Sequence, residues 1–213
     1  HTITPQGLAG GGMVPGPGEI SLAHHGVLFL DELAEFRRET LEILRQPMEE
    51  HCVKLARLAG NYEFPSDFML VAAMNPCRCG YYPDLNRCHC TKGMVEQYLK
   101  KISQPLLDRI DICVETKRVE YQDLIKENPH QETSAEIRKR VVAAMERQQQ
   151  RFAGTNIRYN SRIPAALLTK YCRLSTKQKQ YMESIYQKLE LTARSYHRIL
   201  RVARTIADMD GSD

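Results

Sequence analysis

Long apolar stretches and targeting signals are both missing from this sequence. No run reaches the roughly 18 apolar residues that a membrane-spanning helix requires. The opening residues HTITPQGLAGGG lack the basic start and the apolar middle of a secretory signal peptide. Internal repeats are also absent. We therefore expect a cytoplasmic protein with no membrane partner.

The composition is typical of a folded chain and leaves the class of partner open. With 213 residues, of which 42% are hydrophobic and 26% charged, the chain is able to bury one core or two small ones. Its formal net charge of +4 is too small to indicate nucleic-acid binding, which clustered Lys and Arg residues would mark.

The cysteines are odd in number and clustered, which does not suit a disulfide framework. Four of the seven lie within fourteen residues, a spacing that favours metal ligation in a reducing compartment. Four thiolates on a short loop suit tetrahedral Zn²⁺, although C-x-C is tighter than the usual C-x-x-C. These candidate ligands are Cys77, Cys79, Cys88 and Cys90. Four reduced thiols, a disulfide formed on handling, or His89 replacing one cysteine remain alternatives.

The remaining cysteines and two histidines receive no functional role. A cysteine outside such a cluster is most often a small apolar residue of the core, and we expect this for Cys52, Cys113 and Cys172. His24 and His25 precede an apolar run, where a neutral, hydrogen-bonded histidine is more common than a catalytic one.

Two unbroken apolar runs predict parallel strands of an α/β domain. Residues 26–30 lack alternation, which is typical of a strand buried on both faces, and they end at Asp31-Glu32. A second run, 68–74, ends at Asn75. Between them we expect a helix over 33–48, disturbed by Pro47, and a hairpin that turns at 60–61. Other expectations are irregular structure at 7–18, a helix near 94–102 and a strand near 110–114.

The C-terminal part of the sequence has a purely helical pattern. Thr133-x-x-Glu136 and Ser175-x-x-Gln178 match the capping box that begins many helices. The first is followed by an apolar stripe at Ile137, Val141, Ala144, Met145 and Phe152. We place a domain boundary near residue 118, between an α/β part, 1–118, and a helical part, 119–213.

The pair Asp31-Glu32 suits phosphoryl-transfer chemistry. At the carboxyl end of a strand, an aspartate is able to hold the water shell of Mg²⁺, and a glutamate to polarise the water that attacks a γ-phosphate. An apolar run followed by Asp-Glu is weak evidence alone. It gains weight because further polar groups follow in order, namely Asn75, Arg109 after Leu106-Leu107-Asp108, and Arg194 on a late helix.

The segments GEISLAHHGVLFLDELAEF, AAMNPCRCGYYPDLNRCHC, SQPLLDRIDI and LTARSYHRILRVARTIADMDG cover much of the chain. They resemble the matching segments of the ComM/YifB family of Mg-chelatase-like AAA+ ATPases. The resemblance implies an α/β fold, consisting of the C-terminal part of an AAA+ αβα ATPase core followed by an all-α lid of four helices. ATP and Mg²⁺ are then the implied cofactors of the intact protein.

The same resemblance implies roles for individual residues. Asp31 and Glu32 resemble the Walker B pair, and Asn75 resembles the sensor that orients the attacking water. Arg109 resembles the arginine finger that reaches a neighbouring subunit's nucleotide, and such a site forms only in an oligomer, so we expect a ring, of six subunits. On the lid helix, Arg194 resembles the second sensor, although Arg198 and Arg201 are close by.

One departure from the family is large. The phosphate-binding motif G-x-x-x-x-G-K-[ST] is absent, and no Gly-Lys dipeptide occurs in the chain. Without the backbone nest and the lysine that cradle phosphates, we expect the chain alone neither to bind ATP tightly nor to hydrolyse it.

The hairpin before the second apolar run is a candidate DNA contact. It carries Lys54 and Arg57, and its placement is similar to the pore hairpin of minichromosome-maintenance helicases, whose basic tips track DNA. An ordinary solvated hairpin is the alternative.

Three functions therefore enter as hypotheses. The resemblance favours a ring-forming motor that drives DNA branch migration or unwinding in recombination and natural transformation. The first alternative is a magnesium-chelatase-type subunit that remodels a protein partner for metal insertion. The second alternative is a zinc-stapled binding module without enzyme activity.

Overall fold

The chain divides into two compact units. The computed structural model describes residues 2–58, 60–116, 119, 121 and 132–212. The first unit comprises residues 1–110 and the second residues 111–213. The boundary predicted at residue 118 lies outside the described residues and stays a prediction.

Short helices and two-stranded sheets make up the described part of the first unit. Its helices are α1 Pro5–Ala9, α2 Glu19–Leu22, α3 Arg38–Glu42, α4 Arg45–Glu50, α5 Lys92–Leu99 and α6 Gln104–Leu107, with a 3₁₀ turn at Leu33–Glu35. Its strands are β1 Gly10–Gly11, β2 Gly16–Pro17, β3 Val27–Leu30, β4 Cys52–Arg57, β5 Gly60–Pro65 and β6 Met69–Ala72. Strand β3 pairs with β6 in parallel, whereas β1–β2 and β4–β5 are antiparallel hairpins.

One face of the β3–β6 pair is exposed, so the expectation of burial on both faces is wrong for this chain. In β3, Leu28 and Leu30 are buried, whereas Val27 and Phe29 are 56% and 58% exposed. A strand buried on both faces needs a covering layer on each, and the described residues pack on one face only. That side holds the core, formed by Leu8, Ile20, Leu28, Leu30, Leu33, Phe36, Leu41, Leu44, Val53, Ile102 and Leu106.

Three other expectations for the first unit are also wrong. The helix expected over 33–48 is interrupted, because Phe36 and Arg37 have extended backbones with ψ of 150° and 138°. Pro47 does not disturb a last turn: it is the third residue of α4, where its missing N–H has no helical partner to lose. The glycine-rich stretch at 7–18, expected to be irregular, contains the end of α1 and the hairpin β1–β2.

The segment expected as a strand near 110–114 has no strand partner among the described residues. Ile112 and Val114 are exposed, and the backbone of the described residues 110–116 forms no ladder. A strand is stabilised by pairing with a neighbour, and residues 110–116 have no such neighbour in the part of the chain that the structure describes. Cys113 is exposed in this segment, so the expectation that it fills a core is wrong, whereas Cys52 and Cys172 are buried.

The described part of the second unit is helical. Its helices are α7 Ser134–Arg151, α8 Leu168–Tyr171, α9 Thr176–Lys188 and α10 Ala193–Asp210, with 3₁₀ turns at Asn160–Arg162 and Ala165–Leu167. Both predicted capping boxes are present, at the beginnings of α7 and α9. The core contains Phe152, Ile163, Leu168, Cys172 and Leu200. No helix in the described ranges is long and apolar enough to span a bilayer.

The apolar stripe of α7 is buried only in part. Ala144 and Phe152 are buried, whereas Ile137, Val141 and Met145 are exposed. The stripe's N-terminal half therefore lacks a covering layer among the described residues.

Candidate functional site

Two loops that follow parallel strands meet at one edge of the sheet. Asp31 and Glu32 directly follow β3, and Asn75 follows β6 after two residues. Backbone bonds extend the pairing beyond the strands, because Ala73 N–H donates to Leu30 O at 3.0 Å and Leu33 N–H donates to Ala73 O at 2.9 Å. All three polar side chains are exposed at this edge. The arrangement leaves oxygen ligands and a polar amide accessible to a bound molecule.

Glu32 adopts a left-handed backbone conformation. Its φ and ψ are 52° and 47°, and its N–H donates to Asp31 Oδ1 at 2.9 Å. A non-glycine residue in this region costs about 1–3 kcal/mol, and such strain clusters at functional sites. The turn directs the chain from β3 into the 3₁₀ turn at Leu33–Glu35 and leaves the Glu32 side chain at the sheet edge.

Asn75 lies beside the loop that carries the cysteines. A Cβ added at Gly80 would lie 3.9 Å from both Cγ and Oδ1 of Asn75. Gly80 has φ of +82°, and its N–H donates to Cys77 O at 3.0 Å, which closes the first turn of the loop. The amide of Asn75 is therefore next to the backbone of the cysteine loop.

The structure brings the four predicted cysteines together. Their sulfur atoms all lie within 4.8 Å of one another. Cys79 Sγ is 3.3 Å from Cys77 Sγ and 3.5 Å from Cys88 Sγ, and the Cys77–Cys88 distance is 3.8 Å. Tetrahedral Zn²⁺ with Zn–S of about 2.3 Å requires S···S distances of about 3.8 Å. The donor set therefore fits zinc in chemistry and in spacing.

The thiols of this cluster titrate against one another. Burial raises the pKa of Cys77, but hydrogen bonds with the Tyr82 backbone and with Cys79 outweigh it and lower that pKa to about 6. A backbone bond with Cys90 lowers the pKa of Cys88, yet burial and the Cys79 and Cys77 sulfurs raise it to about 12. Several neighbouring thiolates repel one another unless a cation compensates them, so a divalent metal is what would let all four ionise.

Local turns and packing hold the cluster in place. Cys88 N–H donates to Asp84 O at 2.8 Å, and the Arg87 guanidinium lies 4.1 Å from the centroid of the Tyr81 ring. Val95 of α5 packs against the cysteines. His89 is exposed and is not in the group of ligand atoms, so the alternative in which it replaces a cysteine receives no support.

Arg109 is turned into its own unit. Its Nη2 lies 2.8 Å from Glu49 Oε2, its Nε donates to Arg45 O at 3.2 Å, and its Nη1 donates to Pro105 O. The side chain is only 11% exposed. Glu49 is a partner that the sequence reasoning missed, and no local motif pairs two residues so far apart along the chain.

The remaining predicted residues lie elsewhere. Lys54 and Arg57 are exposed on β4, where Lys54 Nζ is 2.7 Å from Glu50 Oε2 and Arg57 Nη1 donates to Ala56 O at 3.1 Å. The Glu50 carboxylate raises the pKa of Lys54. Arg194 is the exposed second residue of α10, in the second unit. The structure thus groups Asp31, Glu32 and Asn75 at one edge and does not group the hairpin cations with them.

Comparisons with known proteins match the whole chain. A family model described as magnesium chelatase, subunit ChlI, matches residues 1–124, and one described as magnesium chelatase, subunit ChlI C-terminal, matches residues 131–213. The uncharacterized protein YifB of Escherichia coli is 42% identical over 213 residues, which are 100% of this chain and 41% of that protein. The competence protein ComM of Haemophilus influenzae is 40% identical over 211 residues, 99% of this chain and 40% of that protein. The chain therefore spans about two fifths of the length of these relatives.

Proposed function

Because the chain belongs to the magnesium chelatase subunit ChlI family, we propose that it supplies the hydrolytic part of an AAA+ ATPase site. The catalytic residues in this proposal are Asp31, Glu32 and Asn75. The observation that carries it is the parallel pairing of β3 with β6, since this pairing puts both post-strand loops at one edge of the sheet.

The residue chemistry at this edge supports the assignment. Asp31 offers a carboxylate of the hard oxygen type that Mg²⁺ prefers, and its role is to hold the Mg²⁺ water shell. Glu32 polarises the attacking water, and its turn keeps residue 32 at the sheet edge. Asn75 orients the same water through its amide. MgATP, when bound, supplies the phosphoryl group and the charge that these side chains address.

The phosphate-cradling part of such a site is not in this chain. No G-x-x-x-x-G-K-[ST] motif occurs in the 213 residues, and the chain spans about two fifths of its relatives. We therefore assign ATP hydrolysis to a longer protein that joins this chain to a P-loop. The chain alone is expected to give no measurable ATP turnover.

Self-association in a ring completes the proposal. Arg109 acts as the finger that neutralises charge on a neighbouring subunit's nucleotide, and loss of such an arginine typically costs ~10³–10⁵ in rate. To reach a neighbour, Arg109 must leave Glu49 and the two carbonyl acceptors. Arg194, exposed at the beginning of α10, is the proposed second sensor.

The cysteine loop is the proposed structural zinc site. We expect about one zinc per chain, with Cys77, Cys79, Cys88 and Cys90 as ligands. Zinc content, measured by inductively coupled plasma mass spectrometry, should fall strongly in Cys88→Ser. It should remain unchanged in the control Cys113→Ser, because Cys113 is exposed outside the cluster. Equal zinc in both variants would contradict the site.

A motor on DNA is the favoured use of ATP. One relative is named a competence protein, and the soft sulfur ligands of the cysteine loop do not favour Mg²⁺, which prefers oxygen. A chelatase-type subunit that remodels a protein partner is the second candidate, favoured by the family description. A zinc-stapled binding module is the third, and Glu32-dependent ATP turnover would exclude it.

ATP hydrolysis by the full-length protein separates these candidates. It should be measured with and without branched or single-stranded DNA, beside a Glu32→Gln control. Stimulation by DNA that Glu32→Gln abolishes supports the motor. Glu32-dependent hydrolysis that ignores DNA would contradict the motor and favour the remodelling subunit.

A further inference from the structure

The small net charge of the chain hides a strong separation of charge. Residues 138–204 contain 16 Lys or Arg residues and three Asp or Glu residues, which leaves 14 basic and 23 acidic residues elsewhere. Where the side chains of such a stretch are exposed, they form the electrostatic pattern of a surface that binds a polyanion. The basic stretch lies within the second unit, whose residues 111–213 contain 19 Lys or Arg and 13 Asp or Glu.

Helix α9, Thr176–Lys188, presents part of this charge to solvent. It has no buried residue. Lys177, Tyr181, Ser184 and Lys188 follow one another at helical spacing and form an exposed stripe. From Lys177 to Lys188 the stripe is about 16 Å long at 1.5 Å per residue, about five nucleotides at the ~3.4 Å axial spacing of a stacked strand.

The acidic surroundings of the stripe's lysines differ from those of Lys54. Among the described residues, no carboxylate pairs with Lys177 or Lys188. The hairpin β4–β5, the other candidate DNA contact, differs because its Lys54 Nζ lies 2.7 Å from the Glu50 carboxylate. The positive charge of the stripe is therefore available to phosphates.

Exposed tyrosine rings lie on two sides of helix α9, and one of them belongs to the stripe. Tyr181 is 68% exposed in the middle of the stripe, whereas Tyr186 is 40% exposed and lies on the opposite side of the helix. Tyr186 packs edge-on against Tyr196 of α10, with ring centroids 6.1 Å apart, beside a shallow cleft of about 400 Å³ that Lys179 also lines. Aromatic rings between basic residues stack with unpaired bases, which a duplex does not expose.

We propose that the exposed stripe of helix α9, Lys177–Tyr181–Lys188, binds single-stranded nucleic acid, with the lysines on phosphates and Tyr181 stacked on a base. This inference rests on the proposed action on DNA and names a surface for it in the second unit. The stripe does not include the sheet edge formed by Asp31, Glu32 and Asn75, so its binding to nucleic acid is testable without ATP.

The test uses the 213-residue chain and a fluorescent oligothymidylate of about 16 nucleotides, with binding followed by anisotropy. Lys177→Ala with Lys188→Ala should weaken binding at least tenfold. It should also lower the slope of log K against log salt by about 1.4, at ~0.7 for each lost phosphate contact. Tyr181→Ala should weaken binding about tenfold without changing the slope, and Tyr181→Phe should restore it.

The matched control is Arg138→Ala with Lys139→Ala, which removes the same charge from exposed positions of α7. This variant should bind nearly as well as the unchanged chain. An equal loss in the control would overturn the proposal, because binding would then reflect diffuse charge. Undetectable binding by the unchanged chain would also overturn it. A third contradicting result is that polyglutamate binds equally well and that Tyr181→Ala does not change its affinity, which would indicate an acidic protein partner.

The outcomes separate this inference from the ATPase proposal. If oligothymidylate does not bind, the proposed role of the stripe is wrong, whereas the prediction of Glu32-dependent hydrolysis is unaffected. If the full-length protein does not hydrolyse ATP but oligothymidylate binding still depends on the stripe, the proposed motor is wrong and the binding surface remains.

Discussion

Asp208 is a completely buried carboxylate at the centre of the second unit, and its removal should be strongly destabilising. Its Oδ2 accepts from Arg151 Nη1 and from Asn160 Nδ2, each at 2.7 Å. Its Oδ1 is bound by Arg151 Nη2 and lies 3.1 Å from Arg204 Nη2. The Arg151 and Arg204 side chains are themselves only 20% and 13% exposed, so Asp208→Ala leaves two largely buried cations without their counter-ion.

We expect Asp208→Ala to lower the free energy of unfolding of this unit by about 3–5 kcal/mol, the cost of breaking a buried ion pair. The matched control is Glu132→Ala, which removes the carboxylate of an exposed pair with Arg140 and should cost about 0–1 kcal/mol. Hydrogen–deuterium exchange of amides in α7 and α10 measures the change within the unit itself. Similar exchange rates in the two variants would contradict a large contribution of the buried ion pairs to stability.

The effect of Asp208 should depend on pH in a stated direction. Burial raises the pKa of Asp208, but hydrogen bonds from Arg151 and Asn160 and the two arginine charges outweigh it, so the folded-state pKa lies below the ordinary 3.8. A lowered folded-state pKa adds stability above pH ~3.8 that is lost as the pH falls through the folded-state value. The difference between Asp208→Ala and the unchanged chain should therefore shrink below about pH 4.

Two further predictions concern the first unit. Gly80→Ala should lower the unit's free energy of unfolding by about 1–2 kcal/mol, because φ at residue 80 is +82°. Gly93→Ala, at an open helical position, is the control and should be neutral or stabilising. Chemical denaturation measures both variants, and equal effects would contradict backbone strain at residue 80. Glu49→Ala should speed the reaction of Arg109 with an arginine reagent about fivefold, corresponding to about 1 kcal/mol. Peptide mass spectrometry measures this rate, and Glu39→Ala is the control. Unchanged reactivity of Arg109 in Glu49→Ala would show that the two carbonyl acceptors alone hold the guanidinium.

Local patterns predicted local structure well. The hairpin β4–β5 and the capping boxes at Thr133 and Ser175 follow from short-range rules on turns and helix ends. The parallel direction of β3 and β6 joins residues far apart and followed from the two apolar runs of an α/β pattern. The convergence of four sulfurs also followed from spacing, because eight residues between two C-x-C pairs form a closed loop.

Features that depend on distant partners were predicted poorly. Whether Val27 and Phe29 are covered depends on a second layer, and whether residues 110–114 pair depends on a neighbouring strand. The pairing of Arg109 with Glu49 joins residues far apart along the chain. The basic stripe of α9 was missed for another reason, because a whole-chain sum cancels the acidic residues of one region against the basic residues of another.

Nucleotide binding and ATP hydrolysis by the full-length protein carrying Glu32→Gln test the catalytic role of this sheet edge most directly. The change preserves the size and turn of residue 32 but removes the charge that polarises water. We predict that ATP binds with nearly unchanged affinity while the rate of hydrolysis falls by about 10²–10⁴, the usual contribution of a general base. Hydrolysis that continues at the original rate would contradict the assignment of this edge as the catalytic site.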